Sequence, residues 1–179
     1  MRDNDLKVLL ATQLDLAVSN AGWNFPVVQK NQPHQEGTPD GPTVFFEKLF
    51  DTSYGFARMG LEYSAPDDSF TESEQQWIQT TFQISALCQE DPSDTTKPTA
   101  GDIANQMKLH MGSRFVVRAW STLNVGVLRT TQVRGPYFED DKLRFEQHPS
   151  FDLVITHIRT LDNSVPAVHH ADVEYYVVP

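Results

Sequence analysis

Regular alternation of side chains from Ile78 to Ala86 is the sequence feature that most constrains the fold. One set of alternating positions is mainly apolar and the other is polar; the first is Ile78, Thr80, Phe82, Ile84 and Ala86, and the second is Gln79, Thr81, Gln83 and Ser85. A β-strand has a side-chain period of two, so one face of this segment is buried and the other meets water or a polar surface. Antiparallel sheets accept one such polar face, so the pattern predicts an antiparallel sheet.

Three further segments have helical spacing. Apolar residues recur every three or four positions from Leu6 to Ala21, where Asp3 or Asn4 can cap the first turn and Gly22 ends the helix. Thr99 and Ser113 are expected N-caps of two consecutive helices. The apolar face of the second of these helices comprises Phe115, Val116, Ala119, Trp120 and Leu123.

Predicted strands occupy blocks on either side of the helix pair. Strands at 43–50 and 54–63 are joined by a turn at Asp51-Thr52-Ser53, and further strands are expected at 126–133, 143–147, 151–159 and 173–178. Blocks of strands and helices, instead of single alternation, predict an α+β fold, with an N-terminal helix and a helix pair packed on a mostly antiparallel sheet. The 179 residues form one domain, with an extended loop at about 26–42 and a C-terminal extension at about 161–179.

Composition excludes several classes of protein. The formal net charge of −10 opposes loose binding to DNA or to an anionic membrane. Cys88 is the only cysteine, so an intrachain disulfide and a cysteine-rich zinc site are impossible. No apolar run is long enough for a transmembrane helix, and the acidic N-terminus does not resemble a signal peptide, so we expect a soluble protein of a reducing compartment.

Motifs for catalysis or cofactor binding are missing from the sequence. His169 and His170 are neighbours that point to opposite faces of a strand, which leaves only Asp172 to join His170 at a metal. Asp152 and His157 have an odd separation and also lie on opposite faces. No glycine-rich phosphate loop and no nucleophile-elbow motif is present. The sequence therefore predicts no catalytic, cofactor-binding or metal-binding residue and no enzyme activity.

Acidic and basic residues are separated along the chain. Residues 51–97 contain nine acidic residues and two basic ones, whereas residues 103–138 contain five basic residues and no acidic one. One interpretation is that these are solvated faces whose opposite charges meet within one subunit. The other is a head-to-tail interface between copies, a type of contact that closes into rings. An acidic ring lumen would let DNA slide through without binding.

The order of elements, together with three stretches of sequence, resembles the neck and tail terminator proteins of tailed bacteriophages. These stretches are Gln-Thr-Thr-Phe-Gln-Ile at residues 79–84, Asn-Val-Gly-Val-Leu-Arg at 124–129 followed by a polar hairpin tip, and Phe-Asp-Leu-Val-Ile-Thr at 151–156. The resemblance covers residues 43–159. It implies a virion protein that forms a ring, usually of six subunits, at the head-proximal end of a tail. Such a ring ends tube growth and joins the tail to the head connector.

Within that family the working parts are subunit surfaces, and no catalytic residues carry over. The resemblance implies contacts with the tail tube and the neck proteins, with the sheath as a further candidate partner, and passage of DNA through the lumen without sequence-specific binding. Assembly is expected in the host cytoplasm, with no membrane contact. We predict an intersubunit interface in which Arg114 and Arg118 of the helix pair contact an acidic turn; this turn comprises Asp67, Asp68, Glu72 and Glu74. We also predict a hairpin tip at a ring end or at the lumen, which comprises Glu139, Asp140 and Asp141.

Two alternatives remain open at this point. Within the same class, the chain could be a tail tube or head–tail joining subunit. In a different class, it could be a small α+β enzyme or ligand-binding domain that uses His148, His157, His169 or His170.

Overall fold

The computed structural model describes residues 1–30, 41–66, 68–88, 93–94, 96–135, 137–139 and 145–166. Its elements, in chain order, are α1 (Asp3–Asn20), β1 (Val27–Gln29), β2 (Thr43–Ser64), β3 (Ser69–Leu87), α2 (Ala100–Met111), α3 (Arg114–Ser121), β4 (Gly126–Thr130), β5 (Tyr137–Glu139), β6 (Phe145–Gln147) and β7 (Ser150–Pro166). Five strands form one sheet in the order β1-β2-β3-β7-β4, and β5 pairs with β6. All neighbouring pairs are antiparallel except β1 with β2, so the predicted α+β class is confirmed.

One face of the sheet and the three helices form the core. The even positions of β3 lie on this face, as the alternation predicts, and they pack with odd positions of β7. The large side chains that are completely buried include Leu6, Leu10 and Leu14 of α1, Ile103, Met107 and Met111 of α2, Trp120 of α3, Phe82 and Ile84 of β3, and Phe151, Leu153 and Ile155 of β7. Burial of these side chains is the main force that holds the helices on the sheet.

The caps of α2 and α3 are those predicted from the sequence. The Thr99 hydroxyl accepts a hydrogen bond from the Asp102 amide at 3.1 Å, and the Ser113 hydroxyl accepts one from the Val116 amide at 3.3 Å. At α1 the prediction is wrong by about one residue. The helix already includes Asp3, and the Asp5 carboxylate accepts a hydrogen bond from the amide of Arg2, the residue at the N-cap.

The predicted turn at residues 51–53 does not exist. Instead, β2 continues through these residues, which pair with Thr80, Gln79 and Ile78 of β3. The register shifts between Lys48 and Phe50 and again between Tyr54 and Arg58. Turn-forming residues are therefore accommodated in a bulged strand, because pairing with a long partner satisfies their backbone groups. The chain reverses later, between the end of β2 at Ser64 and the start of β3 at Ser69.

Three strands continue past the helices as an extension, which we call the arm. The arm comprises residues 58–64 of β2, 69–75 of β3 and 160–166 of β7, together with the turn between β2 and β3. None of these residues belongs to the buried core cluster. At about 3.3 Å per residue, the seven residues of each strand span roughly 23 Å. The arm includes the described part of the predicted C-terminal extension.

Gly126 provides a test of sheet packing beside the core. It pairs with Thr156 of β7, and a Cβ at position 126 would lie 2.6 Å from the Thr156 Oγ1. We expect Gly126→Ala to lower the free energy of unfolding by about 1–2 kcal/mol, because either the hydroxyl or the strand must move. Chemical denaturation measures the change. In a Thr156→Ala background the same substitution should have little effect, and an equal loss in both backgrounds would contradict this explanation.

Candidate functional site

The arm has one apolar face and one polar face. Its apolar face continues the sheet face that the helices cover in the body, and it comprises Met59, Leu61, Tyr63, Phe70, Leu161 and Val165, with Glu72, Glu74 and Asn163 among them. The rings of Tyr63 and Phe70 lie 5.1 Å apart, as expected for neighbours on this face. On the opposite face, the Ser73 hydroxyl donates to the Asp162 carboxylate at 2.6 Å. The arm therefore has the side-chain pattern of a sheet with a covered face, but none of the three described helices covers it.

Exposure of this apolar face is extensive. Leu61 is 67% exposed, and Met59, Tyr63, Leu161 and Val165 are exposed as well. Exposed apolar side chains clustered on one face of a sheet mark a site of protein interaction. Met59, Leu61 and Tyr63 alternate in the sequence, but this alternation did not reveal the surface, because the face forms only when three strands pair.

A second candidate surface lies on α3. Val116 and Trp120 of this helix are buried as predicted, but Phe115 is 66% exposed and Leu123 is also exposed. The predicted apolar face is therefore buried only in part, because the protein core contacts the side of the helix that contains Val116 and Trp120. Phe115 and Ala119 line an open depression of about 480 Å³ that Arg114 and Arg118 flank.

The predicted interface residues occupy these two surfaces. Arg114 and Arg118 are exposed on α3. Glu72 and Glu74 belong to β3, on the apolar face of the arm. Among the described acidic residues of this set, Asp68 is the one in the turn, and it accepts a hydrogen bond from the Tyr63 hydroxyl at 2.9 Å. The expectation that the acidic residues form one turn is wrong, since β3 begins at Ser69. Asp67 lies outside the described residues.

The ion pairs in the described part of the chain do not join the acidic arm to the basic helix. They instead join Lys30 to Glu47, Lys97 to Asp94, Arg134 to Asp152, and both Lys48 and Arg159 to Asp3 and Asp51. The interpretation in which the two charged segments meet within one subunit therefore has no support among these pairs.

A partly buried polar network lies at the root of the arm. The Thr80 hydroxyl donates to Asp51 Oδ1 at 2.7 Å, and it lies 3.0 Å from His157 Nε2, which acts as the donor in that contact because the hydroxyl proton is already used. Asp51 also accepts from Lys48 Nζ at 2.6 Å and from Arg159 at 3.2 Å. The same two cations bind Asp3, so the network ties the start of α1 to β2 and β7.

Protonation equilibria in this network favour the folded state near neutral pH. Hydrogen bonding by Lys48 lowers the pKa of Asp3. Burial by itself raises the pKa of Asp51, but hydrogen bonds from Lys48 and Thr80 outweigh it, so the net pKa is lowered. Burial also lowers the pKa of His157. Because all three values lie below those of the unfolded chain, this stability is present above the unfolded pKa values and is lost as the pH falls.

Replacing Asp51 tests this network. We expect Asp51→Asn to cost about 1 kcal/mol of unfolding free energy at pH 7, since Lys48 and Arg159 lose a charged acceptor. The variant should also lose less stability than the wild type when the pH is lowered from 5 to below 3.8. Denaturant titrations across this pH range measure both effects. Asp15→Asn, an exposed change on α1, is the control, and the same response in both variants would contradict the role given to Asp51.

The histidines do not form a common site in the described residues. His157 is buried on the helix side, while Asp152 lies on the other side and binds Arg134 at 2.8 Å, so their predicted separation is confirmed. Burial lowers the pKa of His148, which is half-buried. No group of His, Cys, Asp or Glu that could hold a metal is found among the described residues. The same residues include no helix that is long and apolar enough to cross a membrane.

His169, His170, Asp172, Asp140 and Asp141 lie outside the described residues. Glu139 ends β5, which pairs with β6, so the predicted hairpin is present at its base.

Comparison with protein families identifies the chain. The family model of the E217 gateway protein gp29 matches residues 5–167. The chain belongs to this family. It is therefore a phage structural protein, and the resemblance predicted from the sequence is confirmed.

Comparison with solved structures gives 20 matching chains, among them a terminator protein. The sheath/tube terminator of an extracellular contractile injection system (PVC), in its extended state, matches the whole of this chain with a TM-score of 0.49 and 8% identity. This chain covers 65% of the length of that terminator. A search of curated proteins gives no significant match.

Proposed function

We propose that this gateway-family protein forms a closed ring, usually of six copies, at the head-proximal end of the phage tail. The observation that supports the ring most directly is the arm, whose exposed apolar face has the chemistry of a surface that another protein covers. The arm and the basic surface of α3 differ in shape and charge, so contact between them in different copies is heterologous. A heterologous contact with the right rotation closes into a ring.

The same chemistry explains how a tail could end. In a closed ring, a neighbouring subunit covers the apolar face of the arm of every subunit. The ring then has no repeating surface on which another layer of tube protein could assemble. Tube growth then stops because the template is missing. We propose contacts with the tail tube on one side and with the head connector or neck proteins on the other, with the sheath as a further partner. Assembly would take place in the host cytoplasm before incorporation into the virion.

We place the β5–β6 hairpin at a ring end or at the lumen. Its predicted tip contains Glu139, Asp140 and Asp141. Carboxylates at this position would repel phosphates, so DNA would pass without being retained. We assign no catalytic residue and no cofactor to the chain, in agreement with its membership of a family of phage structural proteins.

Mass measurement and electron microscopy of the purified full-length protein test this proposal. We expect a discrete closed ring, either alone or after addition of tail tubes made from the tube protein of the same phage. Rings found only at tube ends would support the terminator role. Long helical polymers of the purified chain would instead indicate a tube subunit, and the absence of rings both alone and on tubes would overturn the proposal.

A further inference from the structure

The apolar face of the arm requires a partner that can contact both apolar and acidic groups. Met59 and Leu161 flank Glu74, and Leu61 pairs with Glu72, so each carboxylate lies beside apolar side chains. A partner with only apolar groups would leave both carboxylates desolvated and unpaired, which is costly. The matching surface therefore combines apolar area with basic side chains.

The α3 surface has this combination. Phe115 and Ala119 supply the apolar depression, and Arg114 and Arg118 flank it. The two arginines are four residues apart and so lie on the same side of the helix. Guanidinium groups bind carboxylates through paired hydrogen bonds, which suits an acidic strand with carboxylates at alternate positions.

These two surfaces belong to different parts of the subunit. The arm is formed by β2, β3 and β7, and the network of Lys48, Asp3, Asp51 and Arg159 holds its root. In contrast, α3 packs against α2 and against β4, an edge strand that pairs with the body part of β7 and not with its arm part. Contact between the arm and α3 is therefore best made between two copies.

From this complementarity we propose that the apolar face of the arm docks on α3 of a neighbouring copy, with Glu72 and Glu74 bound by Arg114 and Arg118. This proposal rests on the ring described above and names the contact that closes it. The helices of one subunit cover the body of its own sheet, and α3 of the next subunit covers part of the sheet that projects from it. Each subunit uses both surfaces once, which makes the contact head-to-tail.

Charge reversal of the full-length chain tests the docking. We expect Glu74→Arg to weaken self-association at least tenfold in sedimentation experiments, and Arg118→Glu to do the same. Combining the two should restore association, because the opposite charges are exchanged across the interface. The matched controls are Glu62→Arg on the polar face of the arm and Arg129→Glu on β4; both change an exposed charge away from the proposed contact.

Cysteine cross-linking provides a measurement that also detects weak association. In a Cys88→Ser background, the pair Leu61→Cys and Phe115→Cys should give a ladder of disulfide-linked oligomers that ends at the ring size. The pair Glu62→Cys and Phe115→Cys should give none, because position 62 lies on the opposite face of the arm.

Three outcomes would overturn the docking. These are a ring that tolerates Glu74→Arg and Arg118→Glu, control substitutions that weaken association equally, and a Leu61–Phe115 pair that gives no cross-linked ladder. A ring that forms normally with Glu74→Arg but no longer binds tubes would assign the arm to the tube instead of to a second copy. The ring itself would remain established in that case, so failure of the docking is distinguishable from failure of the proposed function.

Discussion

Removing residues 59–74, which form the β2 and β3 strands of the arm, is expected to abolish ring formation while leaving the body folded. Arg58 and Gln75 are paired in the sheet, so residues 59–74 can be replaced by an Asn-Gly turn that joins the two strands. The deleted residues contribute nothing to the buried core cluster, and the network at the root of the arm remains complete. The shortened chain should therefore keep its helical and strand content and its cooperative unfolding, but remain a monomer.

Sedimentation measures whether the shortened protein is a monomer, and circular dichroism measures its helical and strand content and its unfolding. A shortened protein that still forms rings would contradict the role of the arm, since the proposed contact would then be unnecessary. A full-length variant provides a second test of the same contact. Leu61→Ser combined with Met59→Ser removes apolar area from the arm without shortening the strands. We expect it to weaken association strongly while leaving the thermal stability of the monomer nearly unchanged, because both side chains are exposed in one copy.

The second large effect is expected in the core. Phe82 is 0% exposed and lies in β3, the middle strand of the sheet. Phe82→Ala should cost about 3–5 kcal/mol of unfolding free energy, because it removes buried apolar surface and leaves a cavity. For a chain of this size, that loss corresponds to a decrease in Tm of roughly 6–20 °C.

Leu61→Ala is the matched control for this prediction. Both positions lie on the helix side of the same sheet, but Leu61 is on the arm and is 67% exposed. Measured under conditions in which the protein is monomeric, Leu61→Ala should change the unfolding free energy by no more than about 0.5 kcal/mol. Similar losses for the two variants would mean that the arm is covered within a single subunit, contrary to its exposed apolar face.

Together, these two predictions divide the sheet into a body that stabilises the subunit and an arm that contacts other subunits. Residues such as Phe82 and Leu153 stabilise the subunit, whereas Leu61 and Leu161 are available for assembly. Both sets of residues lie on strands that run through the body and the arm. A neighbour that docks on the arm therefore contacts strands that also form the core.

Local sequence was sufficient to predict the elements that depend on interactions between residues close together in the chain. Thr99 and Ser113 cap their helices through hydrogen bonds over three residues, and the alternation around Phe82 identifies both the strand and its buried face. The family was also recognisable from the order of these elements and three stretches of sequence. The charge separation directed attention to Arg114, Arg118, Glu72 and Glu74, which lie on the two candidate surfaces.

Tertiary structure decided the features that depend on distant partners. Residues 51–53 have the composition of a turn, but pairing with β3 makes them part of a strand. Phe115 fits a helical apolar stripe, but the narrow contact of α3 with the sheet leaves it exposed. A local pattern shows which side chains share one face of a helix or strand. Whether that face is exposed, as it is on the arm and on α3, depends on where the other helices and strands end. For this reason the sequence alone determined the fold class, most helix limits and the family, while three-dimensional packing alone showed which apolar residues remain for a partner.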